Sequence, residues 1–68
     1  MRKSNVTNAN KCIKWFKARG INAKKYYLED EEIYTIFIEI DLQNYIEISQ
    51  DEIVERARQY EWEQKSFK

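Results

Sequence analysis

The chain has no proline, no histidine, one glycine and one cysteine. Without histidine, imidazole-based acid–base catalysis is excluded, and with a single cysteine a zinc site lacks its usual ligands. Cys12 has no second cysteine to pair with, so no internal disulfide staples the fold. No stretch approaches the apolar length needed to span a bilayer, and the N-terminus has no signal-type apolar segment. The expectation is a cytoplasmic protein, within its own cell or a host cell, with no membrane contact, no cofactor and no metal. Proline-rich linkers, repeats and low-complexity segments are also missing, so residues 1–68 read as one small α+β domain. Acidic residues are absent from the first 27 positions, where eight of the chain's twelve cations lie. All twelve acids fall within residues 28–68, against Arg56, Arg58, Lys65 and Lys68. The zero net charge therefore hides a basic and an acidic half, a pattern that points to binding.

What is present is a small, aromatic-rich core. A hydrophobic share of 43% with ten aromatics is too rich for a disordered chain of this charge. Abundant Ile, Lys, Asn and Tyr, all with A/T-rich codons, fit a low-GC genome such as that of a virus, mobile element or low-GC bacterium. Residues 1–5 are polar and expected to fray. From Thr7 to Arg19, Val6, Ala9, Cys12, Ile13 and Phe16 share one helical arc, and Gly20 sits where a left-handed cap is needed. A strand from Ile21 to Leu28 leads to the acidic turn Glu29-Asp30-Glu31-Glu32. Ile33 to Asp41 is dense in β-branched and aromatic residues, with Tyr34, Ile36, Ile38 and Ile40 on one face. A Leu42-Gln43-Asn44 loop to the strand Tyr45–Ile48 would pair Ile40 with Ile46 and Ile38 with Ile48. Ser49 and Glu52 form a Ser-x-x-Glu capping box for a second helix, whose buried stripe reads Ile53, Val54, Ala57 and Tyr60. The expected fold is a two-layer α-β-β-β-α domain, a three-stranded antiparallel sheet with both helices on its isoleucine face.

Four surfaces carry the candidate sites. Lys11, Trp15 and Arg19 are spaced by four on the first helix, outside its buried arc, and Lys14 and Lys17 widen the basic surface. Cations beside an exposed indole suit a nucleic-acid backbone or an acidic protein surface. The open sheet face shows Ile33, Thr35, Phe37, Tyr45, Glu39 and Glu47, with Glu39 expected directly opposite Glu47 and Lys25 between them if the first strand turns it outward. Paired carboxylates suit acid–base or metal chemistry, but no third ligand type supports either, and an apolar-aromatic sheet face is more often an interface. The acidic surface Glu29, Asp30, Glu31 and Glu32 reads as a solvated turn or a phosphate mimic. Trp62 points away from the second helix's stripe, alongside Arg58, unless that helix ends early and Trp62 or Phe67 folds back over the core.

The α-β-β-β-α order resembles the layout of the double-stranded-RNA-binding domain and of the small HicA-type toxins. The first family grips phosphates with a basic cluster at the start of the second helix, where this chain has Ser49-Gln50-Asp51-Glu52. The toxins use a catalytic His, a residue type this chain lacks. The resemblance is one of topology and assigns no function. The favoured expectation is a non-enzymatic protein-binding module, an inhibitor or regulator of viral or mobile-element type that occludes a larger host protein or protein–nucleic-acid complex. The alternatives are an RNA-binding domain using the basic first helix, and a self-assembling protein or homodimer joined by complementary charges.

Overall fold

The computed structural model describes residues 3–66, and the side chains of residues 5–65. Two helices and three strands follow in the expected order: α1 Lys3–Ala18, β1 Ala23–Leu28, β2 Ile33–Glu39, β3 Tyr45–Ile48 and α2 Gln50–Ser66. The strands form one antiparallel sheet in the order β1-β2-β3. The helices pack against the sheet, with α2 lying mainly along α1 and reaching the strands at β2. The core is Ala9, Cys12, Trp15 and Phe16 of α1, Ala23 and Ile36 of the sheet, and Ile53 of α2.

Local chemistry explains each boundary. Helix α1 ends in a Schellman motif, in which the Ile21 N–H donates to the Phe16 carbonyl at 2.9 Å and the Gly20 N–H to Lys17 at 3.0 Å. Gly20 takes φ = 76°, the left-handed conformation that only glycine adopts without cost. Ser49 Oγ accepts the Glu52 N–H at 3.1 Å, capping α2 as expected. The reciprocal half of the box is not made, because Glu52 turns its carboxylate to the Arg56 guanidinium. The β1–β2 hairpin closes through the acidic turn, where the Glu32 N–H donates to the Leu28 carbonyl at 2.7 Å and Glu32 takes φ = 55°.

Three expectations about the fold are corrected. Helix α1 begins at Lys3 rather than Thr7, so positions 3–5 are helical; residues 1 and 2 lie outside the described residues. Asn5 explains the extension. Its Oδ1 accepts the Tyr34 N–H at 2.7 Å and its Nδ2 donates to the Tyr34 carbonyl, so one side-chain amide pairs with β2 where β3 has ended. Gln50 Nε2 donates to the same carbonyl at 2.9 Å.

The β2–β3 register differs by two residues from the expected one. Ile38 pairs with Ile46 and Ile36 with Ile48, while Glu39 stands opposite Tyr45 and Phe37 opposite Glu47. Asp41 causes the change, since its carboxylate accepts the Gln43 and Asn44 N–H groups at 2.9 and 3.0 Å. That Asx turn makes Asp41 a loop residue and closes the hairpin at Ile40 and Asn44. A two-residue shift preserves face parity, so the isoleucines still share the helix side of the sheet. Val54, assigned to the buried stripe of α2, is instead exposed.

Candidate functional site

The Lys11–Trp15–Arg19 column is the place where sequence and structure part most clearly. Trp15 is 9% exposed and belongs to the core, not to a free surface. The Arg19 guanidinium lies 3.7 Å from its ring centroid and that of Arg56, from α2, at 4.3 Å. Lys11 and Arg19 form ion pairs with Glu61 and Glu63 of α2. Asn5 meets Gln50 near both helix starts and Arg19 meets Glu63 near both ends, so the helices run in the same direction with this column as their seam. The charge split of the sequence is thus partly consumed internally, basic α1 against acidic α2. The indole Nε1–H is buried without an acceptor among the described residues.

Cys12 lies in the same seam, fully buried. Burial foremost, and then the Glu52 carboxylate, push its thiol up to about 12, although Arg56 acts the other way. A protonated thiol at that depth is not a nucleophile. Among the described residues no group of three or more His, Cys, Asp or Glu could hold a metal ion. The carboxylate pair expected on the sheet is not brought together. Glu47 accepts a hydrogen bond from Thr35 Oγ1 at 2.7 Å, and Glu39 accepts one from Asn22 Nδ2.

The open face of the sheet carries Lys24, Tyr26 and Leu28 from β1, Ile33, Thr35, Phe37 and Glu39 from β2, and Tyr45 and Glu47 from β3. Lys24, not Lys25, points outward. Lys25 turns to the helix side, where it donates to Asn10 at 2.7 Å and lies 5.1 Å from the Tyr34 ring centroid. Tyr27 follows the same parity, so of the β1 tyrosines Tyr26 faces out, stacked edge-on against Phe37 with centroids 5.2 Å apart. A shallow groove of about 440 Å³ runs past Tyr26, Tyr27, Leu28, Phe37 and Tyr45. Thr35 is 1% exposed even on this face.

The outer side of α2 is the second exposed surface. Val54, Arg58 and Trp62 are four residues apart and therefore form one column, away from buried Ile53 and Ala57. Trp62 is 69% exposed. Phe67, the alternative cover expected for the core, lies outside the described residues. Lys14 and Lys17 remain exposed on α1 with no ion pair among the described residues, and Glu29, Asp30, Glu31 and Glu32 are all exposed in their turn. Tyr26, Lys24 and Val54 escaped sequence reasoning. The i, i+4, i+8 spacing of Val54 with Arg58 and Trp62 was the available signal for the last.

Compared with protein-family models, with curated proteins and with solved structures, the chain matches none. No helix among the described residues is long and apolar enough to cross a membrane.

Proposed function

We propose that this chain is a small non-enzymatic protein-binding module that presents the Val54–Arg58–Trp62 column of α2 to a larger protein. The observation that carries the reading is the contrast between the two tryptophans. Trp15 is enclosed by the helix seam, whereas Trp62 is displayed four residues from an arginine and eight from an exposed valine on α2. Trp and Arg are the side chains most often found to dominate binding energy when a partner covers them. The buried, protonated Cys12 and the lack of histidine support a binding rather than a catalytic role. The mode of action in this reading is occlusion of a host protein complex, in the manner of inhibitors carried by viruses and mobile elements.

The nucleic-acid alternative loses support from the same geometry. Lys11 and Arg19 are engaged by α2, which leaves Lys14 and Lys17 as the cations without an ion pair among the described side chains of α1, while the open sheet face carries Glu39 and Glu47. The test is capture from extract of the native cell with tagged chain. Trp62→Ala together with Arg58→Glu should abolish recovery of the partner with an unchanged melting curve, while Lys14→Glu with Lys17→Glu should leave recovery intact. Recovery that survives the first pair and is lost with the second would refute the α2 assignment.

A further inference from the structure

The open sheet face is a second surface, and its charges are arranged in a way the α2 column does not use. Lys24, Phe37 and Glu47 lie in one row across the sheet, a cation on the β1 edge, a ring at the centre and an anion on the β3 edge. Neighbouring strands are about 4.8 Å apart, so the two charges stand about 10 Å apart on either side of Phe37. We infer that this face pairs with the same face of a second copy of the chain, about a two-fold axis running along β2 at Phe37.

Such an axis carries β1 of one copy over β3 of the other. Each Lys24 then meets Glu47 of the other copy, and the two Phe37 rings meet at the axis. A two-fold axis perpendicular to the strands would instead set Lys24 over Lys24 and Glu47 over Glu47, an arrangement that like-charge repulsion rejects. The row is self-complementary under one orientation and self-repelling under the other.

In the next row Glu39 lies on the central strand and so faces Glu39 of the other copy across the axis, a like-charge contact that opposes pairing. Asn22 draws each carboxylate toward its own β1 side, which offsets the two anions. The rotation brings Tyr45 of the other copy over that side, so a phenol approaches each carboxylate. A second copy fits this face better than a nucleic acid, whose phosphates Glu39 and Glu47 would repel. The exposed rings of Tyr26 and Tyr45 supply apolar area to be covered. Three strands of about six residues give a footprint of roughly 300 Å². Stable pairs bury about 800 Å² on each partner, so the dimer is weak and forms at high concentration.

The test is sedimentation of the full chain at about 0.5 mM, a concentration suited to so small an interface. Wild type should sediment as a dimer in dynamic exchange. Lys24→Glu alone and Glu47→Lys alone should each weaken association about tenfold or more, because each places like charges across the axis. An equimolar mixture of the two variants should dimerise again, since one copy then carries two anions in the row and the other two cations. Circular dichroism confirms that each variant is folded. Should Glu47→Lys fail to fold on losing its bond to Thr35, amide shifts of wild type between dilute and concentrated samples decide the matter: they must concentrate on Lys24, Phe37 and Tyr45 and spare Arg58 and Trp62. A monomeric wild type, single variants that associate like wild type, a mixture that stays monomeric, or shifts confined to α2 would each overturn the inference. None of these outcomes bears on capture through Trp62, so the two surfaces are tested independently.

Discussion

Trp15 shows how a single side chain can reverse its reading once a second helix is in place. Its position on α1 lies beside, not within, the arc of Ala9, Cys12 and Phe16, so helical periodicity alone assigns it to the surface. Burial comes from Arg56 on α2 and from Arg19, whose guanidiniums lie over the ring. Replacing Trp15 with Ala should cost about 3–5 kcal/mol, the usual range for deleting a large buried ring, and unfold much of so small a domain at ambient temperature. Trp15→Phe should be far milder, since it keeps a ring under the arginines and removes a buried N–H that has no acceptor among the described residues. Urea denaturation of both variants checks the order. Two backbone positions make opposite predictions. Gly20→Ala meets no steric obstacle but must hold φ = 76°, and should destabilise by about 1 kcal/mol. Glu32 already bears the left-handed cost, roughly 1–2 kcal/mol. Glu32→Gly should release it, leaving a net gain of about 0.5–1 kcal/mol after the greater freedom of the unfolded glycine, seen as a raised melting temperature.

At the scale of elements, the order of helices and strands, the Ser49 cap, the Gly20 cap and the face parity of β2 and β3 were legible, because each depends on residues close in sequence. The β2–β3 register was not, since a match of isoleucines permits more than one alignment and the Asx turn at Asp41 selects among them. The helix seam was legible only as a charge asymmetry, which gave the signs but not the pairing of Lys11 with Glu61 or Arg19 with Glu63. The site divided in the same way. Trp62 and Arg58 could be placed from α2's own periodicity, whereas Lys11, Trp15 and Arg19 depended on a contact distant in sequence. The Lys11–Glu61 ion pair and the Asp41 turn also set the acid response. The hydrogen bond from Lys11, then its charge, hold Glu61 below the usual carboxylate range, and the Asn44 side chain with the Gln43 N–H does the same for Asp41. Both groups bind protons less readily folded than unfolded, so their contribution is present above the unfolded range and is lost as pH falls through their lowered values. Stability should therefore decline below about pH 4, and Glu61→Gln should flatten that decline in a series of denaturant melts.

The whole molecule has two unlike exposed surfaces, one on the open face of the sheet and one on α2. The sheet face carries aromatic rings and a row with a cation at one edge and an anion at the other, and α2 carries the Val54–Arg58–Trp62 column. A face-to-face pair would leave both α2 columns outward, so a dimer could engage two sites on one large partner and gain avidity without new contacts. The division of roles between the tryptophans underlies the functional proposal, and it can be read optically. In Trp15→Phe the remaining Trp62 should emit as a water-exposed indole and be quenched readily by iodide. In Trp62→Phe the remaining Trp15 should emit at shorter wavelength and resist the same quencher. Two single-tryptophan proteins with matching spectra and matching quenching would contradict the account.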